Sequence, residues 1–515
     1  MKTSILWADD EIELLKPHIL FLEEKGCEVV GVQSGRDALD VLEEQQPDIV
    51  FLDEQMPGLS GIDTLGRIKE RWPQLPVVMI TKSEEEGVME DALGGKISDY
   101  LIKPVNPNQI WLTVKKHTEL KRLQSEHSTM NYQQQFREIG MQLQGLMDAN
   151  EWMEVYKRLV YWELELSGTE DDNIHDIFLS QKKEANQQFC RFYERNYVDW
   201  LGGSVEKPLL SPTVLQERMF PLLKEDKPTF LIVIDNFRYD QWKMLEQELA
   251  SDFTIDEDLY CSILPTATQY ARNAIFSGLM PDQIAKMFPD LWVDEDEEEG
   301  KNLNEEPLIQ TQLERYRRKN TFSYYKINTS QDADRFMQQL NTLDKNDLNV
   351  VVFNFIDMLS HARTESKMVR ELANNESAYR SITLSWFRHS VIADLFRQLA
   401  QTDYRVIITT DHGSIRANNP VKIVGDRNTN TNLRYKLGKN LSYDSKDIFI
   451  IKEPRKAMLP MPNLSTSYVF ATGDDFFAYP NNYNYYVSYY RNTFQHGGIS
   501  MEEMLIPIVT MKRKR

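Results

Sequence analysis

Arg405-Val-Ile-Ile-Thr-Thr-Asp-His-Gly413 decides how the larger part of this chain is read. An apolar, β-branched run ends abruptly in a carboxylate, an imidazole and a turn glycine, the pattern of a buried strand that delivers polar groups at its carboxyl end. Two other segments repeat it. Phe230-Leu-Ile-Val-Ile234 runs into Asp235, and Asn349-Val-Val-Val-Phe353 leads to Asp357, with His361 four residues beyond. In an open parallel sheet such ends converge although they lie far apart in sequence. The pattern predicts an α/β domain over residues 206–515 with a central, mostly parallel sheet.

Carboxylates and imidazoles are the ligands zinc takes. Two zinc ions about 4 Å apart would activate an attacking oxygen and steady a departing one in phosphate-ester cleavage. Asp357 and His361 face one way if their strand runs into a helical turn. Asp411 and His412 lie in a turn ending at Gly413, and His496-Gly497-Gly498 brings a third imidazole on a loop whose small residues allow it close to a metal. Pro265-Thr-Ala-Thr-Gln-Tyr-Ala-Arg272 offers two candidate nucleophiles, Thr266 and Thr268, and a candidate contact to a substrate phosphate, Arg272. The acidic run Asp294 to Glu299 is expected to be a solvated loop, since adjacent carboxylates without turn glycines seldom converge on a metal.

Residues 1–120 carry a different phosphate chemistry. Ser4–Ala8, Cys27–Gly31, Asp48–Leu52, Val77–Ile80 and Asp99–Ile102 are predicted strands, alternating with amphipathic helices. All but the second are followed by a chemically useful group: Asp9 and Asp10, Asp53, Thr81, and Lys103-Pro104. Three carboxylates at one edge can hold Mg²⁺ while Asp53 accepts a phosphoryl group. Lys103 would neutralise the new charge, Thr81 would donate to a phosphate oxygen, and Tyr100 would change rotamer as Thr81 moves.

Between these domains, residues 121–205 are rich in Gln, Glu, Leu and aromatics. Trp152, Val155, Tyr156, Leu159 and Trp162 mark one helical stripe, and Phe189, Phe192, Tyr193, Tyr197 and Trp200 another, with a break at Ser167-Gly168-Thr169. The helical period of the aromatics predicts buried faces and not a base-stacking groove, so the stripes are expected to be the core of a helical-bundle connector.

The chain has 515 residues, room for several cores, and 41% hydrophobic content to fill them. A formal charge of −20 disfavours nonspecific attraction to nucleic acid or anionic membranes, so any anionic substrate must be captured by local positive charge. The three cysteines, Cys27, Cys190 and Cys261, are too scattered for a disulfide framework or a metal knuckle. With no signal-peptide core and no apolar run of spanning length, a cytoplasmic protein without membrane insertion is expected. No basic helix-turn-helix is present, so sequence-specific DNA binding is not expected.

The first segment, through Asp9, Asp10, Asp53, Met56-Pro57-Gly58, Thr81, Tyr100 and Lys103-Pro104, resembles the response-regulator receiver domain. That resemblance implies a flavodoxin-like fold, phosphorylation at Asp53 and a sensor histidine kinase as partner. From roughly Pro228 to Val509 the chain resembles the alkaline phosphatase superfamily, specifically its PglZ branch. The threonine segment is similar to the nucleotide pyrophosphatase and phosphodiesterase form, whose second threonine attacks, which selects Thr268. It departs from that form after the nucleophile, with Gln-Tyr-Ala-Arg in place of Phe-Pro-Asn-His, so specificity contacts do not carry over.

By the same resemblance Asp235, Thr268, Asp411 and His412 would surround one zinc, and Asp357, His361 and His496 the other. His18, His117, His127, His175 and His389 fit no part of the set. The domain order resembles response regulators associated with type IX protein secretion. That likeness implies zinc binding and a homodimer favoured by phosphorylation, and the likeness of the Pro265-Thr-Ala-Thr268 segment implies a phosphodiesterase with nucleotide or oligonucleotide diesters as leading substrates. The alternative is a non-catalytic zinc-dependent platform that docks a sigma factor or secretion component.

Overall fold

A computed structural model describes residues 3–73, 75–81, 97–167, 172–224, 227–295, 297, 300, 302–373, 375–425, 429–443 and 448–514. Two compact units are present, 1–132 and 133–515.

In the first unit, β1 (Thr3–Ala8), β2 (Cys27–Val32), β3 (Ile49–Asp53), β4 (Val77–Thr81) and β5 (Asp99–Ile102) form one parallel sheet in the order β2-β1-β3-β4-β5. Its strands alternate between two cores. Leu6, Ala8, Val50, Leu52, Val77 and Met79 meet Ala38, Leu42, Leu65 and Ile68 from the helices Gly35–Glu44 and Gly61–Arg71. On the other face Ile5, Trp7, Ile49, Phe51, Val78 and Ile80 meet Leu22, Ile110 and Val114. Burial on both faces explains the continuous apolar runs, and the strand order is that of flavodoxin-like sheets.

The second unit is built on a six-stranded sheet. Its strands are β6 (Thr229–Ile234), β7 (Phe253–Cys261), β8 (Phe322–Ile327), β9 (Leu348–Phe353), β10 (Arg405–Thr409) and β11 (Leu505–Arg513), in the order β7-β11-β10-β6-β9-β8. β10, β6, β9 and β8 run parallel, whereas β11 is antiparallel to both β10 and β7. Lys512 and Arg513 are the end of this strand, paired with Thr254 and Phe253.

One helix, Pro107–Leu143, runs across the expected boundary at 120/121, and the part of the expected connector from residue 133 on lies in the second unit. The helices Ala149–Leu166 and Asp172–Gly202 bury their aromatic stripes against the effector's own segments. The Tyr193 hydroxyl donates to the Ser262 carbonyl at 2.8 Å, and the Leu264 amide donates to the Tyr197 hydroxyl at 2.9 Å. Residues 168–171, where the helix break was expected, lie outside the described residues.

A buried ion-pair network fixes this docking. Glu163 pairs with Lys182 at 2.7 Å and Arg380 at 2.9 Å, Arg380 with Asp240 at 3.1 Å, and Arg238 with both Asp240 and Glu376 at 2.6 Å. Burial raises the Glu163 and Asp240 carboxyls, but the cations outweigh it, Lys182 and Arg380 at Glu163 and Arg238 and Arg380 at Asp240. Both end below the ordinary carboxylate value. A folded pKa below the unfolded one gives stability that is present above about pH 4 and lost as pH falls further. Glu163→Gln leaves two buried cations short of charge and should cost about 3–5 kcal/mol at pH 7. In urea titrations the gap from wild type should narrow below about pH 4. A gap constant from pH 7 to pH 3 would contradict an electrostatic origin.

Candidate active site

Three adjacent strands bring the carboxylates together. β10, β6 and β9 lie side by side, so Asp411, Asp235 and Asp357 leave the same edge of the sheet. The ligand atoms of Asp235, Asp411 and His412 lie within 4.8 Å of one another, as do those of Asp357, His361 and His496. The His412 and His496 rings stack at 4.2 Å between centroids, which joins the two sets into one site.

The helix Phe355–Glu365 starts directly beyond β9 and puts Asp357 and His361 one turn apart on one face. Asp357 Oδ2 lies 3.4 Å from His361 Nε2 and its Oδ1 3.5 Å from His496 Nε2. Asn236, which sequence reasoning missed, donates through Nδ2 to Asp357 Oδ1 at 3.2 Å. It sits at φ 60°, a left-handed conformation that asparagine tolerates better than most residues. The one local signal for it was an asparagine placed directly after an apolar strand and its terminal aspartate.

Main-chain carbonyls orient both central imidazoles. His412 Nδ1 donates to the Gly413 carbonyl at 3.1 Å, and His496 Nδ1 donates to the Thr266 carbonyl at 3.0 Å. A carbonyl only accepts, so each Nδ1 holds the proton and each Nε2 keeps its lone pair for the site. Burial, with His412 alongside, pushes the His496 imidazolium down to about 3. Its ring is neutral near pH 7, the state a metal ligand requires.

The structure separates the two threonines. Thr266 Oγ1 donates to the Gly498 carbonyl at 2.8 Å and accepts from the Gly497 amide at 3.0 Å, which pins the His496 loop. Thr268, at the start of the helix Thr268–Ser277, places Oγ1 3.2 Å from His412 Nε2 and 3.4 Å from Asp235 Oδ1. The glycines after His496 serve packing. A Cβ on Gly497, at φ +122°, would meet the Tyr435 ring at 2.6 Å, and one on Gly498 the Ala471 carbonyl at 2.4 Å.

Arg272 differs from its expected role as a substrate phosphate contact. It is 1% exposed, and its fork is occupied: Nε reaches Asp411 at 3.0 Å, Nη1 reaches Glu305 at 3.1 Å and Asn354 at 3.2 Å, and Nη2 pairs with Asp235. It braces two candidate metal ligands from behind. Glu305, the third carboxylate, was not legible because it lies on a separate helix, Glu305–Arg315. The acidic run also differs in part: Glu295 accepts hydroxyl protons from Tyr270 at 3.0 Å and Tyr435 at 2.8 Å, while residues 296, 298 and 299 lie outside the described residues.

The donor set fits divalent cations. Burial and the charges of Asp411 and Asp357 push the Asp235 carboxyl well above its ordinary value, although Arg272 opposes them. Asn236 Oδ1 is buried beside the carboxylates with no hydrogen-bond partner. Carboxylate and imidazole donors in two groups of three match tetrahedral zinc, with Thr268 Oγ1 completing the first group. Of the other histidines, His18 bonds the Val105 carbonyl, His117 pairs with Asp99 and His389 bonds the Ser385 carbonyl. The His127 side chain lies outside the described residues.

The first unit carries its own site. Ligand atoms of Asp9, Asp10 and Asp53 lie within 4.8 Å of one another, and Lys103 Nζ reaches Asp9 at 3.0 Å and Asp53 at 2.9 Å. Burial raises the Asp53 carboxyl above its ordinary value, against the opposing effect of Lys103. Burial lowers Lys103, but its bonds to Asp53 and Asp9 outweigh that and leave the ammonium raised. The Thr81 hydroxyl donates to Glu54, the neighbour of Asp53. Tyr100 packs against the core beneath the helices Gly35–Glu44 and Gly61–Arg71.

Fold and site together define a response regulator with an alkaline-phosphatase-like effector. The family described as the BREX system PglZ alkaline phosphatase-like domain matches residues 214–511, and the chain belongs to it. The PorX response regulator linker domain matches residues 122–201 and the response regulator receiver domain residues 5–115. A receiver of this kind takes its phosphoryl group from a phosphodonor such as a histidine kinase, and receivers use Mg²⁺.

Among curated proteins, the alginate biosynthesis transcriptional regulatory protein AlgB of Pseudomonas putida is 32% identical over 119 residues, 23% of this chain and 27% of that protein. The alkaline phosphatase synthesis transcriptional regulatory protein PhoP of Bacillus subtilis is 31% identical over 117 residues, 22% of this chain and 48% of that protein. The chain thus spans between about a quarter and a half of the length of these relatives. A solved receiver domain from Clostridium thermocellum is 30% identical, covering 24% of this chain and 98% of its own, with a TM-score of 0.22. Among the described residues no helix is long and apolar enough to cross a membrane.

Proposed function

We propose that this response regulator is phosphorylated on Asp53 and that its PglZ effector is a zinc-dependent phosphodiesterase acting on nucleotide or oligonucleotide diesters. The reading includes a cytoplasmic location, a homodimer favoured by phosphorylation, and a regulatory role in type IX protein secretion. The observation that carries the enzymatic reading is the placement of Thr268 Oγ1 within 3.4 Å of Asp235 and 3.2 Å of His412, beside the second ligand set.

Two bound zinc ions would supply Lewis acidity at the attacking and departing oxygens. Asp235, Asp411 and His412 would hold one, and Asp357, His361 and His496 the other. The Thr268 oxygen attacks phosphorus, its proton leaves with the first alcohol, and a phosphothreonine diester remains on the chain. Water then cleaves the threonine–phosphorus bond, releases the monoester and restores the hydroxyl. Arg272 keeps Asp235 and Asp411 aligned throughout.

Turnover of zinc-loaded protein on matched aryl phosphate esters tests the substrate class. The diester should be cleaved faster than the monoester, and the reverse order would overturn the diesterase reading. For the switch, acetyl phosphate with Mg²⁺ should give wild type acid-labile phosphate and Asp53→Asn none. Equal labelling of the two proteins would remove Asp53 from its role.

A further inference from the structure

A tyrosine-rich helix, Tyr483-Asn-Tyr-Tyr-Val-Ser-Tyr-Tyr490, leads directly into the strand and loop that carry His496. One face, with Tyr483, Val487 and Tyr490, packs on the small core of Ala417, Phe476 and Ala478. The other face is left to solvent. Tyr485 and Tyr486 are 64% and 38% exposed. The rings are held in register, Tyr485 parallel to Tyr489 within 16° and Tyr486 to Tyr490 within 11°, each pair 6.1 Å apart.

Charge around this helix departs from that of the whole chain. The protein has 79 acidic residues and a net charge of −20, yet none of the 79 falls between Tyr479 and Ser500, where average usage would place about three. Cations line the helix instead. The Arg370 guanidinium lies 5.1 Å over the Tyr489 ring, the Lys422 ammonium 5.0 Å over Tyr483, and Arg491 follows the helix in an exposed position. Along this stretch a polyanion meets no acidic side chain of the segment itself.

The ladder is also close in the chain to the metal-ligand groups. Tyr489 lies seven positions before His496, a reach of at most about 25 Å. Arg370 lies on the helix Lys367–Leu372, directly after the helix that bears Asp357 and His361, and the His361 side chain is 63% exposed. Aromatic faces stack on any nucleobase, while neighbouring cations track the phosphates.

We propose that Tyr485 and Tyr486, with Tyr489 stacked beneath Tyr485, form a base-stacking platform for a single-stranded oligonucleotide whose scissile phosphodiester lies at Thr268. This rests on the phosphodiesterase reading and narrows its substrate to base-bearing oligonucleotides.

The test compares full-length zinc-loaded wild type with the double variants Tyr485→Ala/Tyr489→Ala and Tyr485→Phe/Tyr489→Phe. Two fluorescent probes of equal phosphate number are used, a single-stranded octadeoxynucleotide and its abasic counterpart. By anisotropy the alanine variant should bind the base-bearing octamer at least about tenfold more weakly, while the phenylalanine variant matches wild type. KM for octamer cleavage should rise by a similar factor, and the variant's thermal midpoint should stay at the wild-type value. Equal wild-type affinity for the two probes, or an alanine variant that binds the octamer normally, would overturn the platform. Turnover of bis(p-nitrophenyl) phosphate without octamer binding sinks the platform and leaves the hydrolase. Ring-dependent octamer binding without any diester turnover leaves the platform and sinks the hydrolase.

Discussion

Thr268→Ala lowers kcat/KM on an aryl phosphodiester by at least about a thousandfold and leaves the zinc content unchanged. The first effect follows from removing the one hydroxyl placed between Asp235 and His412. The second follows because the six side-chain donors remain, with His412 still oriented by the Gly413 carbonyl and His496 by that of Thr266. Thr266→Ala makes a useful contrast. Its hydroxyl pins Gly497 and Gly498, so its loss should loosen the His496 loop and weaken zinc retention as well as turnover. Equal diester rates for Thr268→Ala and wild type would remove the nucleophile. A secretion phenotype that tolerates Thr268→Ala but fails with Asp53→Ala would favour a docking platform over an enzyme.

Arg272→Met is the second large effect, and it appears in stability before it appears in rate. The substitution keeps much of the side chain's volume but strips three buried carboxylates, Asp235, Asp411 and Glu305, of their shared cation. Uncompensated buried charge of this kind costs about 3–5 kcal/mol. Without zinc the variant should unfold at a distinctly lower urea concentration, and excess zinc should recover part of the loss, because cations at Asp235 and Asp411 replace some of the missing charge. A contact to substrate phosphate would behave differently, raising KM with the unfolding midpoint unmoved. That outcome would return Arg272 to the substrate phosphate contact its sequence context implied.

These two residues show where the sequence was readable. Asp235, Asp357 and Asp411 each follow a mainly apolar strand, and β6, β9 and β10 are buried along their described lengths apart from the first residue of β10. An apolar run ended by an acid is a local pattern, so it survives without knowledge of the fold. The receiver strands were legible for the same reason. The role of Arg272 was not, because its burial depends on Glu305, 33 residues away on another helix. β8, Phe322-Ser-Tyr-Tyr-Lys-Ile327, is half-buried and carries polar side chains, so it lacks the apolar signature.

The antiparallel course of β11 is set by its partners β7 and β10, not by its own residues. Between Ile415 and Gln495 the strands are two to six residues long, too short for a period of two to stand out. The connector's stripes were correctly read as buried faces, yet nothing local showed that Ser262, Leu264 and Arg380 of the effector would cover them. The exposed tyrosines of the helix Tyr483–Tyr490 carry no local pattern that ties them to His496.

The central claim is that two clusters of three side chains each gather one cation beside the Thr268 hydroxyl. Anomalous diffraction at the zinc edge from crystals of the zinc-loaded protein tests it most directly. The account predicts two peaks per chain, one within bonding distance of Asp235, Asp411 and His412, and one within bonding distance of Asp357, His361 and His496. Folded protein in excess zinc that shows no peak in either cluster, or peaks only elsewhere on the chain, would contradict it.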